Sequence, residues 1–242
     1  MSVVEVSWRP LADMLDDGRL HAGELVEVFG VTGVGKTQLL CQLGANAAAA
    51  GCHVHFIDVD GGKLSSAWST VSDEAKSRVT LCRACSIESL IVALRTVPAG
   101  ARMLIVDSIT CLYWLFRESP NLERVLMRAL LDASRTRVTL VSKCALFKDG
   151  SNRLATSMSW TRAAPHRPQV PLAAAEHLSA RPMLSNNYED AVNYRIHLSF
   201  GVCLAGEKAY TTVVNARGVD ISGEPQHIVG AGAITLIDET TL

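Results

Sequence analysis

The sequence predicts an α/β fold: a mostly parallel, twisted sheet flanked by helices, with antiparallel strands at its C-terminal edge. Three observations carry this. Short apolar runs alternate with helical patterns through the first 142 residues, the rhythm of a parallel sheet covered on both faces. A glycine-rich turn, Gly30-Val31-Thr32-Gly33-Val34-Gly35-Lys36-Thr37, joins the first such run to the first long helix. Beyond residue 190 the apolar runs follow one another without helices between them, as antiparallel strands do.

Each element has a local reason. Pro10 to Leu15 is expected to be helical and leads through Asp16-Asp17-Gly18 to a turn at Ala22-Gly23. Leu25 to Phe29 is a buried strand, and Lys36 to Ala50 a helix with apolar residues on one side. His53 to Asp58 is a second strand, with His53 and His55 on one face, read as packed or solvent-facing rather than as ligands. Leu64 to Val71 reads as helical and Val79 to Cys82 as a short strand. Ser86 is placed to cap a helix over Ile87 to Val97, with Glu88 in its favourable first turn, and Pro98-Ala99-Gly100 ends it. Met103 to Asp107 is a continuous apolar strand ending in an acid. Leu122 to Ser134 is an amphipathic helix and Val138 to Ser142 another buried strand. Phe147 to Asp190 is irregular, rich in Ser, Pro, Arg, Ala and Asn, and a stretch of that length is usually functional or disordered. Val192 to Phe200, Tyr210 to Val214 and Ile228 to Ile237 are the late strands.

Composition bounds the function classes. The 242 residues, 48% of them hydrophobic, suffice for one large domain over 1–242, with 1–22 a short lead-in and no internal repeats. A formal net charge of -1 gives no global positive field for nucleic acid, so any such contact must come from a local patch. The odd count of 7 cysteines, mostly in apolar contexts, reads as free thiols in a reducing compartment. Cys82 and Cys85 form a lone CxxC with no second pair to complete a zinc site. No run approaches the roughly twenty apolar residues of a membrane span, and no signal-peptide pattern opens the chain. The expectation is a soluble intracellular protein without a membrane partner.

The chemistry concentrates in two places. The G-x-x-x-x-G-K-T pattern between strand and helix is a phosphate-binding loop. Its glycines let successive N–H groups and the positive helix terminus face a polyphosphate. Lys36 is suited to the β- and γ-phosphates, and the Thr37 hydroxyl to Mg²⁺. Gly30 to Gln38 are therefore the candidate nucleotide-binding residues. Asp107, ending its apolar strand, is the candidate second support for the metal. A third segment, Asp58-Val59-Asp60-Gly61-Gly62, ends a strand at the edge where open α/β sheets bind ligands. Asp60 is a candidate to orient an attacking water. A simple Asp-rich turn is the competing account of Asp60 and the better account of Asp58.

On these residues the chain resembles the RecA-type strand-exchange recombinases, in their ATPase core. Gly23 to Gly30, Gly35 to Leu40 with its Gly-Lys-Thr-Gln junction, and Leu104 to Tyr113 are similar to the eukaryotic and archaeal branch. Asp58 to Gly62 resembles the Asp-Ser-Asn-Gly-Gly of the eukaryotic recombinase paralogs, paralog D above all. The resemblance implies a RecA-like ATPase that binds ATP and Mg²⁺, with Lys36 and Asp60 as catalytic residues. It implies other recombinase paralogs and single-stranded DNA as partners, an accessory role in homologous-recombination repair, and a nuclear location. The chain departs from the family where Asp60 stands in place of a catalytic Glu, and where Val141-Ser142-Lys143-Cys144 replaces a Thr-Asn-Gln type sensor. These departures imply slow hydrolysis. About twenty residues precede the core, so the family's N-terminal helical domain and polymerisation linker are not expected. The interval from Asp107 to Lys143 is short for a first DNA loop. The 147–190 segment falls where a second DNA loop would follow; Lys148, Arg153, Arg162, Arg167 and Arg181, with Trp160, suit phosphate pairing and base stacking. A solvated insertion is the equal alternative for that segment. Two other readings of the whole chain stay open: a nucleotide-bound structural subunit with negligible turnover, and a regulator like archaeal RadB.

Overall fold

The computed structural model describes residues 3–5, 12, 15, 17–30, 35–61, 68, 71–112, 119–144, 147–148, 154–155, 188, 191–204, 207–216, 219–220, 226–230 and 233–235. Strands β1 (Val3–Glu5) and β2 (Arg19–His21) form an antiparallel pair. Then come β3 (Leu25–Gly30), helix α1 (Lys36–Ala49), β4 (Val54–Asp58), α2 (Asp73–Ser77), β5 (Val79–Arg83), α3 (Ile87–Arg95) and β6 (Met103–Asp107). A 3₁₀ turn (Ile109–Leu112) follows, then α4 (Pro120–Ser134), β7 (Val138–Cys144) and the short β8 (Phe147–Lys148) and β9 (Leu154–Ala155). The chain closes with β10 (Tyr194–Leu204), β11 (Glu207–Ala216), β12 (Val219–Asp220), β13 (Gln226–Gly230) and β14 (Ala233–Thr235).

The main sheet runs in the order β14-β13-β11-β10-β3-β7-β6-β4-β5, with β12 beside β11. From β10 to β5 every neighbouring pair is parallel, and from β10 to β14 every pair is antiparallel. The centre reads as continuous apolar runs because both faces are covered, and the period of two sorts each strand. Val26 and Val28 of β3, Val54 and Phe56 of β4, and Met103 and Ile105 of β6 share one face with Leu39, Leu40 and Leu43 of α1. Ile57, Leu104, Val106 and Val141 share the other with Leu90 and Leu94 of α3 and Leu126 and Leu130 of α4. Gly44 lets α1 lie close: a Cβ there would sit 2.9 Å from Ile105 Cδ1 and 3.3 Å from Trp68 Cη2.

Ser86 caps α3 as its sequence foretells, in a reciprocal box with Ser89. Three expectations need correction. The run Ile228 to Ile237 is not one strand but contributes to a hairpin, β13 against β14, with Gly230 opposite Ala233; the glycines at 230 and 232 are the turn signal in the sequence. The first late strand, β10, is a member of the parallel body, Tyr194 to Leu198 pairing Val26 to Gly30, and only its other side is antiparallel. Ile196 explains the placement, being fully buried in the core beside β3. In the expected helix Leu64 to Val71, Trp68 lies in a turn and Val71 in a bend, whereas in the expected helix Pro10 to Leu15, Ala12 is helical and Leu15, at its end, lies in a bend; most of both segments falls outside the described residues.

Candidate functional site

The strand order brings the chemistry together. β7 lies between β3 and β6, so the carboxyl ends of three parallel strands converge beside the start of α1. Gly35 caps that helix in the left-handed region at φ +97°, a conformation that suits glycine. With no acidic residue in its first turn, the N-terminal end of α1 keeps the positive character that anions favour. Lys36 is buried, and its Nζ donates to the Gly30 carbonyl at 3.0 Å, spanning the mouth of the loop. Val31 to Val34, which the motif assigns to the cradle, lie outside the described residues. Gln38 is exposed on the first turn of α1.

Asp107 is the centre of the arrangement. It is buried at the end of β6, and burial raises its carboxyl above the ordinary aspartate range. Hydrogen bonds from the Ser142 and Thr37 hydroxyls and the charge of Lys36 oppose the rise, while the charge of Asp60 adds to it. Ser142 Oγ donates to Asp107 Oδ1 across the β6–β7 pair. The peptide bond that follows, Asp107–Ser108, is cis. One turn below Thr37 on α1, burial pushes the Cys41 thiol up to about 12, with Asp107 and Asp58 adding, so this cysteine stays a protonated packing group.

The strand-end turn at Asp58 has its own wiring. Asp58 Oδ1 accepts from the Gly61 amide at 2.8 Å, so Asp58 serves the turn. The Val59 and Asp60 amides reach the Asp107 carbonyl at 2.7 and 3.4 Å. Asp60 is thus tied by its backbone to the residue that ends β6, with its side chain exposed. Gly62 lies outside the described residues.

A hydroxyl and a carboxylate are hard oxygen donors, the chemistry Mg²⁺ requires. Their contact, and a carboxylate held ionised only at the cost of its burial, fit a cation at this point. Among the described residues no group of three His, Cys, Asp or Glu side chains is gathered for a metal, and Cys82 and Cys85 are partly or fully exposed free thiols. His55 is buried and His53 exposed, as packed and solvent-facing side chains. Lys148 opens the irregular segment in β8; Arg153, Trp160, Arg162, Arg167 and Arg181 lie outside the described residues. The sequence reasoning passed over Ser142 as a site residue. Its signal was there: a hydroxyl at the end of the apolar pair Leu140-Val141, near the carboxyl end of the strand.

By sequence, no protein-family model and no curated protein matches the chain. By structure, it is similar to the RadB recombinase in its crystal structure, with a TM-score of 0.60 and 18% sequence identity. The likeness covers 94% of this chain and 96% of that one. The fold is RecA-like. In that RecA-like frame, the phosphate-loop motif follows the central strand β3, and Asp107 ends a strand two places away. Among the described residues, no helix is long and apolar enough to cross a membrane.

Proposed function

We propose that this chain is a RecA-like ATP-binding protein that serves homologous-recombination DNA repair as an accessory paralog. The observation that carries the reading is the convergence of Lys36, Thr37, Asp107 and Ser142, from three segments of the chain, on one point beside the start of α1. Such a meeting of ammonium, hydroxyl and carboxylate at a helix N-terminus suits a nucleoside triphosphate with its magnesium ion. The ion would shield phosphate charge and draw on the oxygens of Thr37 and Asp107.

This chain's residues would divide the work. Lys36 and the amides of Gly33 to Gly35 bind phosphate, with Gly30 to Gln38 framing the nucleotide. Thr37 and Asp107 hold the metal, and Ser142 keeps Asp107 oriented and ionised. Asp60, tethered to the Asp107 carbonyl, is the residue to orient water. Its short side chain supports slow, DNA-dependent turnover. Residues 1–242 form one domain on this reading, and the basic 147–190 stretch is the single-strand contact. Other recombinase paralogs are the protein partners, and the nucleus is the place of action. The nearness to paralog D rests on Asp58 to Gly62 alone.

The likeness to the RadB recombinase is also compatible with a second reading, a RadB-like recombination regulator, which stands beside that of a nucleotide-bound structural subunit with negligible turnover. Titration with fluorescent ATP and Mg²⁺ tests the common core. The wild type should bind, and Lys36→Ala should lose binding while keeping its circular dichroism and cooperative unfolding. Equal affinity in the two proteins would remove the assignment. Turnover with and without single-stranded DNA, beside capture of sister paralogs, then separates the enzyme from the regulator.

A further inference from the structure

Arg83 has no part in the phosphate loop or the metal site, yet it ends β5 beside the acidic turn. In the β4–β5 register Arg83 stands opposite Asp58, the residue that starts that turn. Its guanidinium Nη2 donates to the Gly61 carbonyl at 3.3 Å. Gly61 adopts φ +67°, and a Cβ there would meet Arg83 Nη2 at 2.4 Å and Cζ at 3.4 Å. The arginine therefore lies against a residue whose backbone favours glycine, and a Cβ there would have to push the guanidinium aside. The turn is held at four points: Asp58 Oδ1 on the Gly61 amide, the Asp107 carbonyl under the Val59 and Asp60 amides, the Ala84 amide on the Asp58 carbonyl at 2.9 Å, and Arg83 on the Gly61 carbonyl. The first two come from the turn and the metal strand. The last two come from the end of β5 and the residue after it, and Arg83 is the one of them that reaches Gly61.

We infer that Arg83 is a positioning residue for Asp60: by latching the Gly61 carbonyl, it fixes the turn so that the Asp60 carboxylate stays on the Asp107 side. The charge of Asp60 is felt at Asp107, which places the two carboxylates within electrostatic reach. Without the latch, the turn keeps its backbone bonds to Asp107 but gains freedom at Gly61, next to Asp60. A shift of about an ångström at such a residue is enough to lower a rate by as much as a hundredfold. Substrate binding relies on Lys36 and Thr37, so it does not pass through this latch. The inference rests on the proposed ATP hydrolysis with Asp60 as the water-orienting group.

The test measures Mg²⁺·ATP affinity and single-turnover hydrolysis in the wild type, Arg83→Ala, Arg83→Lys, Gly61→Ala and the double variant. Arg83→Ala should bind ATP within about twofold of wild type and hydrolyse it roughly tenfold or more slowly. Arg83→Lys should recover most of the rate, because one donor to the carbonyl suffices. Gly61→Ala pushes the arginine away from the other side. It should copy the loss, and the double variant should be no worse than either single change to within about twofold. Unchanged turnover in Arg83→Ala overturns the inference, as does a rate loss that Arg83→Lys fails to recover or that adds in the double variant. A wild type that binds ATP without turnover overturns the latch and the role of Asp60 while leaving nucleotide binding in place. A wild type that binds no ATP overturns the underlying reading itself.

Discussion

Ser142→Ala removes one oxygen from a packed strand and almost no volume, so its effect isolates a single hydrogen bond. The partner is a carboxylate whose ionised form burial already disfavours. A hydrogen bond to a charged group is worth about 1.5–3 kcal/mol, and one to a neutral group about 0.5–1.5 kcal/mol. The destabilisation should therefore depend on pH. Asp107 has a folded pKa raised above its unfolded value, so its contribution favours the folded state in acid and is lost as pH rises through the folded pKa. Removing the Ser142 donor raises the folded value further, so the loss in the variant goes deeper and continues to a higher pH. The stability gap between wild type and Ser142→Ala should widen from about 1 kcal/mol near pH 4 to about 2–3 kcal/mol near pH 8. Urea unfolding at a series of pH values, followed by circular dichroism without nucleotide, reads the gap directly. A gap that stays constant across the series would show that the hydroxyl does not act on the charge of Asp107, and the account of the site would fail at its centre.

Other perturbations probe the frame around the site. Gly44→Ala should destabilise by about 1 kcal/mol in thermal unfolding, because overpacking against Ile105 and Trp68 outweighs the gain in helix propensity. Ser86→Ala should cost about 1 kcal/mol and speed amide exchange in the first turn of α3, since it breaks both halves of the capping box. His55 is buried with both ring nitrogens lacking a hydrogen-bond partner among the described residues, and burial first, then the charge of Arg137, lower its pKa from 6.5. Unfolding then takes up a proton, so stability should fall as pH drops below 6.5 towards the folded value, with a slope of at most about 1.4 kcal/mol per pH unit from this group. His55→Phe should lack that component of the slope in the same titration.

The parallel body of the fold was legible because its central strands are buried on both faces and each long helix shows one apolar side. Leu25 to Phe29, Met103 to Asp107 and Val138 to Ser142 read as strands for that reason, and their bounds in the structure move by two residues at most. Local chemistry was equally readable where a motif is contiguous, as at Lys36-Thr37, or where a cap is, as at Ser86. Ser142 was harder. Its role depends on which strand lies beside β6, and pairing between segments 35 positions apart is a property of the whole sheet. Arg83 was harder still, because its partner is a backbone carbonyl, which carries no residue signature. The position of β10 followed the same rule: strand propensity marks Tyr194 onward as extended, but only the fit of Ile196 into the core beside β3 decides its direction and neighbour.

Interposing β7 between β3 and β6 has an electrostatic consequence. If the acid-bearing strand were next to β3, the carboxylate would face the lysine with no intervening hydroxyl. A close ion pair in a buried position gains strong attraction but ties the ammonium to the carboxylate. With β7 between them, Asp107 takes hydroxyl donors from Ser142 and Thr37 and is influenced by the charge of Lys36. Lys36 in turn gives one of its three donors to the Gly30 carbonyl. A neutral carbonyl gives up an ammonium more readily than a carboxylate would. On the proposed reading a polyanion and a divalent cation share this site, and the strand order contributes to it by setting the Ser142 hydroxyl on Asp107.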